Sequence, residues 1–96
     1  MTDHDVKVVD NPDEGQFEIY AHGRRAGFVA YDLAPDRITF IHTEIDPEFN
    51  GRGLGGRLVA QALDTARERG LAVVPRCPFV KRFIERHPDY ADLVAA

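Results

Sequence analysis

The sequence predicts an α/β domain in which a mostly antiparallel meander sheet ends in one β-loop-α-β unit. Three observations carry this prediction. Short runs of alternating apolar and polar residues, separated by turn compositions, fill the chain as far as Ile45. The period then changes, and apolar residues recur at positions 54, 58, 59, 62, 63 and 66, which is one face of a helix. Between the two regimes lies Asn50-Gly51-Arg52-Gly53-Leu54-Gly55-Gly56-Arg57, where four of eight residues are glycine.

Residues 1–5 are polar and read as a loose tail. A short strand over 6–9 is ended by Asn11-Pro12-Asp13-Glu14-Gly15, a turn composition. Residues 16–21 form a strand with Phe17, Ile19 and Ala21 on one face and Glu18 and Tyr20 on the other. After His22-Gly23-Arg24, residues 26–33 are the hairpin partner. Another turn at Leu33-Ala34-Pro35-Asp36 leads into a strand over 37–45. The helix over 54–69 stops at Gly70, as a helix does at a glycine just past its end. Residues 71–74 make a buried strand parallel to the one before the helix, so the β-loop-α-β unit spans about 37–75. Residues 79–86 are a second short helix between Pro78 and Pro88, and 89–96 add a helical turn or two.

A chain of 96 residues, 44% hydrophobic, supports one folded domain over 1–96. No apolar run approaches the roughly 20 residues of a membrane helix, and the acidic N-terminus is not a secretory signal. The lone Cys77 forms no internal disulfide, which suits a reducing cytoplasm. A net charge of −4 gives no general attraction to nucleic acid or to an anionic membrane, so any anion site must be local.

The glycine loop offers such a site. Backbone N–H groups curled at glycines, with a helix starting behind them, bind phosphate or pyrophosphate. Gly51-x-Gly53-x-x-Gly56 fits a dinucleotide fingerprint formally, but the strand before it, His42-Thr43-Glu44-Ile45, is polar, and no acidic residue stands about 20 positions on. Gly51-x-x-x-x-Gly56 has P-loop spacing, but Arg57 and Leu58 replace the Lys and Ser/Thr.

The stretch Glu44-Ile45-Asp46-Pro47-Glu48-Phe49-Asn50-Gly51-Arg52-Gly53-Leu54-Gly55-Gly56-Arg57-Leu58 resembles the strand, Pro-Glu turn, glycine loop and long helix of the GNAT superfamily of N-acetyltransferases. With Val73-Val74-Pro75-Arg76-Cys77-Pro78-Phe79-Val80 and His87-Pro88-Asp89-Tyr90, the resemblance is to a short, single-domain (YidJ-like) branch. It implies a minimal GNAT fold and acetyl-CoA as the acyl donor. It also places the coenzyme pyrophosphate at Arg52, Gly53, Leu54, Gly55 and Gly56, and gives Ile45 backbone contacts to the acyl carbonyl. Asn50 stands where the family has Gln or Arg, and Arg52 or Arg57 would compensate. The implied activity is acetyl transfer to an amine of a small molecule or a protein, by a monomer or homodimer without nucleic-acid or membrane partners. The alternative is a non-catalytic acyl-CoA-binding or sensing module.

Acetyl transfer needs a neutral amine and a proton for the leaving thiolate. Glu44 is the candidate base; His42 shares its strand face, either as a catalytic partner or as its hydrogen-bonded neighbour. The family's tyrosine acid aligns with Ile84, so that acid is absent, and Tyr90 lies past Pro88. Cys77 follows the parallel strand where the resemblance places the thioester sulfur, and is read as proton donor, nucleophile or packing residue. No His/Cys cluster has metal-ligand spacing.

Overall fold

Five strands lie side by side in sequence order: β1 (Val6–Asn11), β2 (Gln16–Ala21), β3 (Arg24–Ala34), β4 (Arg37–Ile45) and β5 (Ala72–Pro75). The computed structural model describes residues 5–95. Neighbours pair antiparallel from β1 to β4, and β4 pairs parallel with β5, so the expected α/β meander with one β-loop-α-β unit is the fold. The helices are α1 (Leu54–Glu68) and α2 (Pro78–Arg86), with 3-10 turns at Pro47–Phe49 and Pro88–Leu93. No helix among the described residues is long and apolar enough to cross a membrane.

The departures from expectation have local causes. β1 runs on to Asn11 because the turn folds entirely within the next residues, with Glu14 N–H bonding Asn11 C=O. Pairing in β3 begins at Arg24 because His22-Gly23 alone closes the hairpin. Of the expected tail, residues 1–4 lie outside the described residues, but Asp5 is held: its C=O accepts the His22 N–H at 3.0 Å. The segment read as helical over 89–96 is a 3-10 turn that ends at Leu93. Val94 then bridges Val73, and Ala95 N–H bonds the Val73 C=O at 2.9 Å along the outer edge of β5.

Both helices pack on one face of the sheet. Phe17, Ile19, Val29, Ile38 and Phe40 meet Leu58, Leu63, Val80 and Ile84 in a single buried cluster. Among the described residues no helix covers the opposite face, which carries Glu18, Tyr20, Arg25, Phe28, His42 and Glu44 at alternating strand positions.

Candidate active site

The site is organised by a defect in β4. Ala30 pairs with His42 but Tyr31 pairs with Phe40, so Ile41 is an inserted bulge residue. β5 pairs only with residues 37–40, and the two strands part at that bulge. The Cys77 N–H bonds the Phe40 C=O at 2.9 Å, and the chain then turns away into α2. Beyond the fork, Asp46 N–H bonds Ala26 C=O at 2.8 Å. The alternation of an antiparallel ladder therefore turns the backbone groups of Thr43 and Ile45 away from β3, into the fork.

The glycine loop closes the fork's outer end. Gly53 caps α1 with φ 73°, a left-handed conformation that costs a residue with a Cβ. The first intrahelical bond runs from Arg57 N–H to Gly53 C=O at 3.3 Å, which leaves the N–H groups of Leu54, Gly55 and Gly56 ahead of it. Among the described residues no side chain caps this end, and no acidic residue stands in the first turn, which suits an anion. At Gly55 the requirement is space, because a Cβ there would lie 2.7 Å from the Phe79 ring.

Two cavities meet at this loop. A small one, about 210 Å³, is lined by Ile45, Phe49, Asn50, Leu54, Phe79 and the glycines. It shares Gly53, Gly56 and Phe79 with a groove of about 860 Å³ between α1 and α2. The groove's walls include Arg57, Arg82 and Arg86 against one carboxylate, Asp89. His87 lies flat on Phe83, with ring centroids 4.0 Å apart, and its Nδ1–H donates to the Phe83 C=O at 2.9 Å.

A third cavity of about 380 Å³ opens on the uncovered sheet face and is lined by residues 25–28 and 44–47. His42 Nε2–H donates to Glu44 Oε2 at 3.0 Å, with both side chains more than half exposed. Ile45 lines this cavity and the small one at the glycine loop.

The sequence-derived residues divide accordingly. Asn50 and the glycines line the small cavity, and Arg57 lines the groove. Arg52 is turned aside over the Phe49 ring at 5.4 Å. Leu54 contributes its backbone, because its side chain is in the core. Cys77 is 2% exposed, packed in the core with Sγ 3.2 Å from Thr43 Oγ1, a setting that favours the packing role over the nucleophile. Ile84 is buried in the same cluster. Tyr90 donates to Asp64 at 2.9 Å, ten residues and so about 15 Å along α1 from its start, and lines the far part of the same groove. Burial, then the bond to Asp64, raises its pKa.

Sequence reasoning missed Arg82, Arg86, Phe79, Phe83 and His87 as groove residues. The signal was present: 79, 83 and 87 are spaced four apart, as are 82 and 86, which sets each row along one side of a helix. It also missed Glu18, whose burial depends on neighbours from three strands.

A family model described as GCN5-related N-acetyl-transferase matches residues 16–93. The uncharacterized N-acetyltransferase MJ1207 of Methanocaldococcus jannaschii is 33% identical over 69 residues, covering 65% of this chain and 30% of that protein. The ribosomal protein bS18-alanine N-acetyltransferase of Escherichia coli K12 is 28% identical over 58 residues, 60% of this chain and 39% of that one. The chain thus spans 30–39% of the length of these curated relatives. The solution structure of a GCN5-like protein from Staphylococcus aureus superposes with a TM-score of 0.71 at 23% identity, covering 96% of this chain and 90% of that one, a likeness of fold.

Proposed function

The chain belongs to the GCN5-related N-acetyltransferases, and we propose that it moves an acetyl group from acetyl-CoA to an acceptor amine, as a short single-domain branch of that family. One observation carries the reading: Ile45 lines both the cavity at the glycine loop and the cavity that holds Glu44. A donor on one side of β4 and an acceptor on the other would meet at the fork.

The residues fit the donor. The N–H groups of Leu54, Gly55 and Gly56 suit a pyrophosphate, and Arg57, Arg82 and Arg86 suit the remaining phosphate in a chain that is otherwise net negative. The flat Phe83–His87 pair suits an adenine ring. Backbone groups of Thr43 and Ile45 turned into the fork suit the amide-bearing pantetheine arm, in the manner of an added strand. When bound, acetyl-CoA supplies an acetyl group activated as a thioester.

Glu44 takes the proton from the acceptor ammonium, directly or through water, and His42 holds the carboxylate by hydrogen bonding. The freed amine attacks the carbonyl carbon, and its nitrogen, now cationic, gives up its second proton to solvent water as the C–S bond breaks; the departing thiolate takes the proton that Glu44 holds. Cys77 packs beneath Thr43 and positions the fork. The acceptor is a small-molecule or protein amine, the working form a monomer or homodimer, and the cytoplasm, where Cys77 stays reduced, is the compartment.

Calorimetry with acetyl-CoA tests the donor site. The double variant Arg82→Gln/Arg86→Gln should bind about tenfold more weakly, with the deficit shrinking as salt is raised. Unchanged affinity would move the coenzyme out of this groove.

A further inference from the structure

The cavity beside Glu44 has a charge pattern that the transfer chemistry does not require. Glu44 and Asp46 line one side, and Arg25 lines the other, above Phe28. Arg25 is held in place from two directions. Its guanidinium lies 5.5 Å from the Phe28 ring centroid, and one nitrogen is 3.4 Å from Glu18 Oε2.

Glu18 is 4% exposed on a sheet face that no helix among the described residues covers. Its carboxylate accepts from Gln16 Nε2 at 2.7 Å, Tyr20 Oη at 3.0 Å and Asn11 Nδ2 at 3.1 Å. Three neutral donors thus satisfy the carboxylate before Arg25 reaches it. Arg25 makes its one contact to Glu18 at a long distance, so most of its five donors are left for other partners. Its side chain is half exposed, toward the cavity. A cation fixed by a buried network is preorganised for an anion, and the planar guanidinium matches a carboxylate through two parallel hydrogen bonds.

Building on the acetyl-transfer reading, we infer that the acceptor is a small zwitterion of the free amino-acid type, its ammonium directed to Glu44 and its carboxylate paired with Arg25. Glu18 is the positioning residue for Arg25. A cavity of about 380 Å³ is at the small end of sites that take small molecules. The N-terminal residue of a polypeptide carries a neutral amide where a free amino acid carries its carboxylate, so Arg25 discriminates against it.

The test uses ¹⁵N-labelled protein titrated with each standard L-amino acid and, in parallel, with the corresponding amino-acid amide. The amides of Gly27, Phe28 and Ile45 should shift with at least one amino acid, with an affinity about tenfold higher than for its amide. Arg25→Gln should erase that preference by weakening only the acid, and Arg25→Lys should keep part of it. Glu18→Gln should reduce the preference while leaving the amide's affinity unchanged; in transfer assays this appears in KM and not in kcat. Equal affinities for acid and amide, no shift with any amino acid, or an equal loss of both in Arg25→Gln would overturn the inference. Acetyl-CoA binding, measured in the same samples, reports separately on the transferase reading. Bound coenzyme without acid preference sinks only the acceptor assignment, whereas failure to bind coenzyme sinks the transferase.

Discussion

The two faces of the sheet obey different rules. Under the helices, burial is apolar: Leu58, Leu63, Val73 and Val80 are fully enclosed, and even Cys77 counts as one more small hydrophobe. On the other face the one well-buried side chain among the described residues is charged, and side-chain donors enclose it. The covered face uses its helices to present backbone, as N–H groups at the start of α1 and strand edges in the fork. The uncovered face presents side chains: Glu44, His42 and Arg25. A phosphate-rich donor suits the first, because fixed backbone dipoles bind anions of any parent molecule. An acceptor that must be told from other amines suits the second.

The largest expected effect strikes the backbone side. Gly53→Glu imposes a Cβ at φ 73° and sets a carboxylate at the α1 N-terminus, and Gly55→Glu drives its side chain into the Phe79 ring. Each should lower acetyl-CoA affinity by about 100-fold or more, since both the dipole site and its access are lost. Circular dichroism should show the fold retained. Unchanged calorimetric affinity in the folded variants would remove the glycine loop from the donor site.

Next in size is the side-chain side. Glu44→Gln should lower kcat/KM about 100-fold near neutral pH. The deficit should narrow as pH rises toward the pKa of the acceptor amine, because a larger share then arrives already neutral. Coenzyme affinity should not change. A variant with full activity across the pH range would take Glu44 out of the proton transfer.

How far these sites were legible in the sequence follows from how local their determinants are. The four meander strands, α1 and the glycine loop were legible because alternation, helical period and turn glycines are written within one segment. The limits of β2 and β4 coincide with those read from the sequence. The second wall of the groove proposed for the donor was not legible as a wall. Nothing in the sequence ties Arg82 and Arg86 to the groove until the packing of Val80 and Ile84 fixes which side of α2 faces α1. The role of Cys77 turned on its direction at the α2 N-cap, which composition does not encode. Glu18 was placed on the correct face, but its burial needs Asn11 from β1 and Arg25 from β3, and strand register decides both.

A smaller effect separates the roles considered for Cys77. With Sγ in the core against Thr43, Cys77→Ala should cost about 1–2 kcal/mol in urea denaturation, the range for removing a small buried group. It should leave kcat within about twofold, as expected of a group outside the proton transfer. The folded protein incubated with acetyl-CoA should carry no acetyl mass on Cys77. An adduct that an amine then discharges would restore the nucleophile and rewrite the reaction as two transfers.

The smallest effect distinguishes the faces by pH. Burial pushes the Glu18 pKa up, but the hydrogen bonds from Gln16, Asn11 and Tyr20 and the charge of Arg25 outweigh it, and the net shift is downward. A carboxyl whose pKa is lower in the folded state than in the unfolded one stabilises the fold at neutral pH. That contribution fades as pH falls through the unfolded value, about 4.3, and is gone once the folded carboxyl is protonated too. Glu18→Gln keeps an acceptor but has no charge to lose. The natural protein should therefore exceed the variant by about 1 kcal/mol at pH 7, and the gap should close on acidification. Taking the difference between the two proteins removes the other titrating carboxylates, such as Asp92 and Glu48, which behave alike in both. The Cys77→Ala cost, set by apolar packing, should stay constant over the same range. A Glu18→Gln gap that is also independent of pH would mean that the cluster uses the oxygen atoms of Glu18 and not its charge. Arg25 would then be held by Phe28 alone, and the two faces would differ in composition but not in the physics that stabilises them.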